Sequence, residues 1–463
     1  MEKRIAIVGA GISGLLACKY AMEKGFNPIV FGARSSIGGV WSQTIESTKL
    51  QTPISYYRFS DFAWASSVTE TFPNHNQVME YLKSYALHFN ILPQIRFSSR
   101  VISIDYFTPR SEDFPSWISG VALVSPSHLL ENGTSLGPDI FDGKVIHSMD
   151  YAAMGGDLAS EFIKEKTSHC CWASEICSGC CCRSGYKKWE GHPCTLLFRR
   201  VYWLAPEHFN TVSFQNLNSF SELMVHRPIL DVYKIGGDIS QRDIPLKKYN
   251  MVPEHPFLKQ IVSCMSMVIP ANFYDRVREG SLILKKAQSF SFCRNGLVLD
   301  GEAAVLESDI VIFATGYKSD EKLSNIFTST FFKNCITGSS APFYRECIHP
   351  RIPQLAILGY SESPSVLYTM EVKSMWLAHF LAGNFKLPPV KEMEDDVMKW
   401  EKCNERYAGD GYKRSCVSVL LQIHVNDQLC RDMGCNPRRK RWFLPEMFAA
   451  YGPMDYANLT WPG

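Results

Sequence analysis

The sequence predicts an α/β fold, and three observations support that fold class. Residues 4–8 form an apolar run that leads into a glycine-rich turn and then into an amphipathic helix. Residues 28–31 form a second apolar run, and residues 310–313 form a third. Short apolar runs bounded by turn residues are typical of buried parallel strands. At 463 residues, the chain is long enough for two or three domains.

The glycine-rich turn has the form G-x-G-x-x-G and opens the helix. Gly9 permits the tight turn, Gly11 lets the backbone approach a pyrophosphate, and Gly14 lets the helix pack close to the strand. The helix N-terminus offers free N–H groups and a partial positive charge to phosphates. A strand–turn–helix with incidental glycines is the alternative. We predict a Rossmann-type FAD site in the first domain, with contacts from Gly9, Ala10, Gly11, Ile12, Ser13 and Gly14.

The second strand lacks the acidic residue that such a site uses. Gly32 follows residues 28–31, where an acidic side chain would accept hydrogen bonds from the ribose hydroxyls. A charge-assisted hydrogen bond contributes about 1.5–3 kcal/mol. Its absence is expected to weaken cofactor binding by on the order of 10–100-fold.

Composition narrows the class of protein further. A charged fraction of 20% and a net charge of +2 indicate an ordinary globular protein and argue against nucleic acid as a partner. The first residues run straight into a strand without a signal-peptide pattern, and no apolar stretch reaches the ~18 residues of a membrane span. We expect a cytoplasmic protein without a transmembrane segment, with most of its 16 cysteines reduced.

The order of elements predicts one domain inserted into another. We expect the first part of the FAD-binding domain at residues 1–165, a second domain at 166–312, and a return to the FAD-binding domain at 313–463. Residues 95–130 alternate as strands do, and the basic cluster at 438–441 is expected to be a solvated face. Asn74 should cap a helix whose apolar face holds Val78, Tyr81, Leu82, Tyr85, Ala86 and Phe89.

Three landmarks together make the chain similar to flavin-containing monooxygenases, in particular the plant branch. They are the G-x-G-x-x-G loop, residues 141–147 with the form F-x-G-x-x-x-H, and the A-T-G-Y segment at 314–317. The Gly38-Gly39-Val40-Trp41 segment is similar to the flavin-proximal loop of this family. The resemblance covers nearly the whole chain, and the order and spacing of the landmarks make it specific.

The resemblance implies two Rossmann-type dinucleotide-binding domains, with the NADPH domain inserted into the FAD domain. It implies that NADPH reduces FAD, and that a flavin C4a-hydroperoxide formed with dioxygen oxygenates a sulfur or nitrogen atom of a small molecule. Gly39, Trp41, Thr315 and Gly316 are implied to lie at the cofactors. His147 is implied to be mainly a structural link between domains.

Gln51 is the candidate catalytic residue. It falls where animal relatives have an asparagine, and a neutral amide can donate a hydrogen bond to a peroxyflavin without adding charge. A surface glutamine is the equally weighted alternative.

Residues 167–190 depart from the family, which carries a second glycine fingerprint for NADPH at this point. The segment reads TSHCCWASEICSGCCCRSGYKKWE. A metal site is disfavoured because the C-x-x-C pair lacks a spaced second pair, and a disulfide framework does not suit cytosol. We therefore predict no metal site at the six cysteines, Cys170, Cys171, Cys177, Cys180, Cys181 and Cys182.

The codons of this segment offer another interpretation. Advancing the frame by one base from His169 turns the codons for His-Cys-Cys-Trp into Ile or Thr, Val or Ala twice, and then an obligatory Gly. The shifted frame then permits Lys-Ser-Ala-Val-Asp-Val-Ala-Ala, which resembles the helix start of plant members. A local frameshift, real or from a mispredicted exon boundary, is the interpretation we favour.

The departure leaves part of the NADPH site in place. Arg199 and Arg200 follow the next predicted strand, where fork-shaped guanidinium groups suit a 2′-phosphate. Two merely exposed arginines are the alternative. The sequence thus predicts an FAD- and NADPH-dependent monooxygenase, and the alternative is a catalytically inactive flavoprotein relic that has lost its NADPH loop.

Overall fold

The computed structural model describes residues 4–45, 48–106, 122–127, 140–164, 166–171, 193–206, 246–249, 251–255, 260, 267–269, 272–314, 323–336, 343–352, 354–360, 366–408, 421–457 and 459. The helices in chain order are α1 (Ile12–Glu23), α2 (His75–His88), α3 (Ser148–Ala153), α4 (Gly156–Ile163), α5 (Phe273–Glu279), α6 (Thr330–Ile336), α7 (Val366–Leu381), α8 (Val390–Ala408), α9 (Gln422–Asp432) and α10 (Phe443–Phe448). None of the helices in the described part is long and apolar enough to cross a membrane.

The strands of the described residues belong to several sheets, of which three are parallel, and the two larger parallel sheets position the site. They are β1 (Arg4–Val8), β2 (Asn27–Phe31), β3 (Ile95–Arg96), β4 (Arg100–Tyr106), β5 (Ala122–Ser127), β6 (Lys144–His147), β7 (Ser168–Cys171), β8 (Cys194–Phe198), β9 (Leu204–Pro206), β10 (Met267–Ile269), β11 (Leu282–Lys286), β12 (Phe290–Cys293), β13 (Gly296–Leu299), β14 (Val305–Glu307) and β15 (Ile310–Phe313). The α/β fold class predicted from the sequence is confirmed.

The first parallel sheet has the order β1-β2-β3, with Val8 opposite Phe31. Helix α1 follows β1 and packs against α7, so the chain returns from its far end to cover the first helix. The shared core includes side chains of α1, β2, α2 and α7 that are fully or almost fully buried: Leu15, Leu16, Val30, Val78, Leu82 and Trp376.

The second parallel sheet has the order β11-β8-β7-β15-β6. All five residues of β8 are buried, as expected for an inner strand covered on both faces. The register places Cys171 opposite both Leu197 of β8 and Phe313 of β15. Since parallel strands end at the same edge, the carboxyl ends of β7, β8 and β15 lie side by side.

The F-x-G-x-x-x-H segment has a structural role. A Cβ on Gly143 would lie 2.3 Å from the ring of Phe141 and 2.6 Å from the carbonyl oxygen of Asp309, so only glycine fits beneath that ring. His147 caps α3: its Nδ1 accepts a hydrogen bond from the Met149 amide at 3.2 Å. The histidine thus has a structural role at the start of α3, and the implied link between domains stays a prediction.

Two other predictions about local structure are confirmed. The Asn74 side chain accepts from the Gln77 amide at 3.1 Å and caps α2, whose predicted apolar face is buried apart from the half-buried Phe89. Strands β4 and β5 lie in the range 95–130 that alternates in the sequence.

The basic cluster at 438–441 differs from the solvated face that the sequence predicted. Arg438 and Arg441 are exposed, but Arg439 donates to Asp427 at 3.0 Å and is only 5% exposed. Lys440 donates to Asp455 at 2.7 Å and is 17% exposed. Arg439 and Lys440 are therefore directed toward carboxylates of the protein, whereas the other two cations of the cluster are directed toward solvent.

A buried charged cluster joins α1 to α7. The Glu371 carboxylate accepts from the hydroxyl of Tyr20 at 2.9 Å and from the amide of Ser60 at 2.8 Å. Lys19, 2% exposed, pairs with Asp61 nearby and lies 4.1 Å from the ring centroid of Tyr20. Burial raises the pKa of Glu371 from 4.5 to about 7, because the loss of water disfavours the charged form.

Replacing Glu371 with glutamine should flatten the pH dependence of stability. Between about pH 5 and 7 the folded carboxyl keeps a proton that the unfolded chain releases, so the free energy of unfolding falls by up to about 3 kcal/mol as pH rises. Urea titrations at pH 5 and pH 8 measure this fall in the original chain and in Glu371→Gln. Glu80→Gln, at an exposed position of α2, is the control and should leave the fall unchanged. An equal fall in the original chain and in Glu371→Gln would contradict the prediction.

Candidate dinucleotide site

The turn after β1 depends on Gly9. This residue has φ of +106°, a conformation that L side chains rarely adopt. Its amide donates to the carbonyl of Phe31 at 2.9 Å, which holds the turn beside the end of β2. The turn therefore lies at the carboxyl edge of the first sheet, where Rossmann-type folds bind their ligands.

Gly14 fixes the distance between α1 and that turn. A Cβ built on Gly14 would lie 1.9 Å from the carbonyl oxygen of Gly9, a separation that no real side chain tolerates. The helix can therefore approach the strand this closely only with glycine at position 14. Position 9 therefore requires the turn conformation, and position 14 the close packing, that the motif predicted for Gly9 and Gly14.

A second glycine-rich loop closes over the first one. Gly38 donates its amide to the carbonyl of Ala10 at 3.0 Å, and a Cβ on Gly39 would lie 3.1 Å from the Cα of Gly11. A Cβ on Gly38 would collide with the Met79 sulfur of α2 at 2.4 Å. The backbones of the two glycine-rich loops are thus in direct contact at the opening of the turn, with no side chain of either loop between them.

The N-terminus of α1 fits a pyrophosphate. Its N-cap is Gly11, and within the described chain no side chain caps it. The first turn holds no acidic residue and begins with Ile12, Ser13 and Gly14. The orphan N–H groups of a helix start and its partial positive charge favour an anion there. The residues of this cradle therefore fit the phosphates of FAD.

Gly32 lies where the sequence placed the missing ribose acceptor. A Cβ at this buried position would lie 3.3 Å from the Cβ of Ala10, the second residue of the phosphate turn. The backbone of Gly32 is held on both sides, since its amide donates to Arg96 and its carbonyl accepts from Ser99. Its φ is outside the glycine-only region, so other residues suit this backbone after a small shift of Ala10.

Gly32→Glu is expected to tighten FAD binding by on the order of tenfold or more, because a carboxylate adds a charge-assisted hydrogen bond to the ribose. Flavin fluorescence titration measures the dissociation constant. Gly32→Ala is the matched control, since it adds the same Cβ without an acceptor and should give no gain. Equal affinity in the original chain and in Gly32→Glu would contradict the prediction.

Sequence reasoning missed two residues that shape the cradle. Arg34 donates to the carbonyl of Gly39 at 2.6 Å and to Ser42 Oγ at 3.0 Å, so it holds the second glycine loop. Gly359, with φ of +87°, lies so close to α1 that a Cβ would be 2.7 Å from Ser13 Oγ. The role of Arg34 could have been predicted, because a cationic residue follows shortly after β2. No sequence pattern near Gly359 predicts a contact with residue 13.

Trp41 links the glycine loops to the segment that carries Gln51. Its Nε1 donates to the Tyr57 hydroxyl at 3.0 Å, and burial raises the pKa of Tyr57, so the hydroxyl stays protonated. Gln51 is half-buried in a segment tied down by Leu50 and Ile54, whose amides donate to residues 73 and 71 at 2.8 Å each. The structure thus brings Gly39 and Trp41 to the turn and fixes Gln51 on the adjoining segment.

The residues predicted for NADPH are described only in part. Arg199 and Arg200 are exposed just beyond β8, at the edge where β7 ends. Gln288 donates to the Arg199 carbonyl at 3.4 Å. Thr315 and Gly316 lie outside the described residues, as does the cysteine-rich stretch from 172 onward.

Residues 168–171 of the departing segment form β7, a strand in the interior of the sheet. No group of three or more possible metal ligands occurs within the ranges described above. Of the six cysteines at 170–182, Cys170 and Cys171 belong to β7, and the other four fall outside those ranges.

Comparisons with known proteins agree with this geometry. The family model described as flavin-binding monooxygenase-like matches residues 2–117 and 240–448. A probable flavin-containing monooxygenase 1 of Arabidopsis thaliana is 32% identical, over 98% of this chain and 96% of its own length. The family model leaves residues 118–239 unmatched, and this interval includes the segment at 167–190.

Solved structures of similar fold include OTEMO in complex with FAD and NADP, with a TM-score of 0.66, 13% identity, and coverage of 98% of this chain and 96% of that one. The S-allyl-L-cysteine S-oxygenase of Allium sativum has a TM-score of 0.57 and 15% identity, and covers 94% of this chain and 89% of its own. The family match covers more than half of the chain and includes both glycine loops. The chain belongs to the flavin-containing monooxygenase family, whose members use FAD and NADPH.

Proposed function

We propose that the chain oxygenates sulfur or nitrogen atoms of small molecules, with dioxygen and a flavin C4a-hydroperoxide as the source of the transferred oxygen. We place this reaction in the cytoplasm. The observation that carries the proposal is the phosphate cradle. There a Cβ on Gly14 would lie 1.9 Å from the Gly9 carbonyl oxygen, a Cβ on Gly39 would lie 3.1 Å from the Gly11 Cα, and Gly9 has φ of +106°. FAD reduced by NADPH supplies the oxygen-transfer chemistry, so the protein needs no nucleophile or acid–base pair of its own.

The residues around the cradle hold and orient the flavin in this proposal. The first turn of α1 binds the pyrophosphate through residues 12–14, and Arg34 keeps the second glycine loop in place. The hydrogen bond between Trp41 and Tyr57 holds that loop against residues 48–57. Gln51 is proposed to donate a hydrogen bond from its side-chain amide toward the reacting oxygen, which stabilises charge without adding any.

The second nucleotide is proposed to lie across the second parallel sheet. We assign the NADPH unit to 166–312 and the FAD unit to 1–165 and 313–463. Arg199 and Arg200 leave β8 at the same edge as the end of β7, where their charges suit a 2′-phosphate. Thr315 and Gly316 are proposed to lie between the two nucleotides, since they follow β15, the neighbour of β7.

A thioether is the substrate class that we favour. Sulfur is a soft nucleophile that suits an electrophilic oxygen, and the S-oxygenase of Allium sativum shares the fold. Tertiary amines offer a second soft nucleophile. Ketones are the contrasting class, because they act as electrophiles.

Turnover by the full chain loaded with FAD tests this proposal. Under ¹⁸O₂ with NADPH, methyl phenyl sulfide should give a sulfoxide labelled with one ¹⁸O, while cyclohexanone should give no lactone. Gln51→Leu should lower product per NADPH consumed and raise peroxide release, and Gln51→Asn, which keeps the amide, should restore coupling. Bound FAD that NADPH does not reduce would instead support the inactive relic.

A further inference from the structure

Helix α10 presents an apolar side to water. Phe443, Leu444 and Phe448 are 73%, 65% and 53% exposed, and Trp442, just before the helix, is 67% exposed. Leu444 and Phe448 are four residues apart and so lie on one side of the helix, and Phe443 is the neighbour of Leu444 in the chain. Single exposed apolar residues are ordinary, whereas a contiguous group marks an interaction surface. We call Trp442, Phe443, Leu444 and Phe448 the α10 patch.

The charged residue of the same helix points toward the protein. The Glu446 carboxylate accepts from the Tyr451 hydroxyl at 2.6 Å and from the Lys440 amide at 3.0 Å. Tyr451 is fully buried. A surface helix normally turns its apolar side inward, and α10 does the reverse. Glu446 therefore anchors the helix to the protein.

Two arginines precede the α10 patch in the chain, and the guanidinium of Arg441 lies 5.6 Å from the ring centroid of Trp442. Arg438 and Arg441 are exposed, and neither takes part in an ion pair with another residue of the described chain. The two cations between them, Arg439 and Lys440, are bound to aspartates of the protein. The rim of the patch thus carries positive charge, although the whole chain has a net charge of only +2.

We propose that the α10 patch docks on the surface of an anionic lipid bilayer. Aromatic and aliphatic side chains enter the boundary between headgroups and acyl chains, and tryptophan suits the headgroup level. Arg438 and Arg441 then face anionic headgroups, whose negative charge complements theirs. With only six residues in α10, the contact is peripheral and reversible.

Vesicle co-sedimentation of the full chain loaded with FAD tests the proposal. Binding to phosphatidylcholine vesicles that contain phosphatidylserine should exceed binding to phosphatidylcholine alone. A Trp442→Ser/Phe443→Ser variant should bind at least about tenfold more weakly to both. An Arg438→Gln/Arg441→Gln variant should lose about 25-fold on the anionic vesicles alone, since each arginine near the surface adds about fivefold.

Matched controls separate the patch from general surface effects. Leu87→Ser removes an apolar residue that is 58% exposed on α2, and Arg294→Gln removes an exposed arginine paired with Asp142. Both should bind vesicles as the original chain does, and all variants should keep FAD and their melting temperature. Equal binding by Trp442→Ser/Phe443→Ser and the original chain would overturn the proposal. So would a lipid-free dimer that this variant abolishes, because the patch would then belong to a second copy.

Discussion

Gly14→Ala is expected to abolish measurable FAD binding and to lower the free energy of unfolding by about 1–3 kcal/mol or more. The added Cβ would lie 1.9 Å from the Gly9 carbonyl oxygen, so strand and helix must separate by about 1.1 Å to reach 3.0 Å. That shift takes the first-turn N–H groups away from the pyrophosphate. Losing two charge-assisted hydrogen bonds weakens binding by on the order of 10²–10⁴-fold. Urea denaturation and flavin fluorescence titration measure the two effects.

Gly11→Ala is the control that separates folding from cofactor approach. Its Cβ would meet nothing nearer than the Gly39 Cα at 3.5 Å, an ordinary contact. The apo protein should therefore keep its stability within about 1 kcal/mol, the cost of alanine at an N-cap. FAD affinity should still fall by on the order of 100-fold, because the methyl group occupies the pyrophosphate's approach. Unchanged affinity in Gly11→Ala would show that the cofactor does not approach there.

Replacing residues 167–190 by the shifted-frame peptide, which supplies a glycine turn and a helix start, is expected to raise the rate of flavin reduction by several orders of magnitude. In the site proposed above, Arg199 and Arg200 would attract the 2′-phosphate but would not position a nicotinamide for hydride transfer. Positioning supplies about 7–11 kcal/mol of a barrier, and a phosphate-binding turn at the end of β7 restores part of it. Anaerobic stopped-flow absorbance with NADPH measures the rate.

The control replaces the same residues by the same peptide with its turn glycine changed to valine. This variant should keep the slow rate of the original chain, because a side chain blocks the approach of the pyrophosphate. Fast reduction of the original chain by NADPH would contradict the prediction and place the phosphate contacts elsewhere.

Local sequence signals predicted the parts of the site that are built by neighbouring residues. The strand, the turn at 9–14 and the capped α2 were readable because periodicity, glycine spacing and an Asn–Gln capping box act within a few residues. Gly359 and Glu371 were not readable, since their partners Ser13, Tyr20 and Ser60 lie more than 300 residues earlier. The burial of Arg439 and Lys440 likewise depends on partners that are brought together by the tertiary structure, and the sequence of the basic cluster alone does not predict them. The roles of Gln51, Thr315 and Gly316 stay predictions.

The contacts of Gly359 with Ser13 and of Glu371 with Tyr20 and Ser60 bear on how the protein is made. On the ribosome, β1, α1 and β2 emerge first. At that time Gly359, which packs beside α1, and Glu371, which accepts from the Tyr20 hydroxyl, have not yet been synthesised. Domains fold as units during synthesis, and pairings across such long separations form slowly. We therefore expect the nucleotide to be loaded after translation has passed α7, so that nascent chains truncated before residue 359 do not retain flavin.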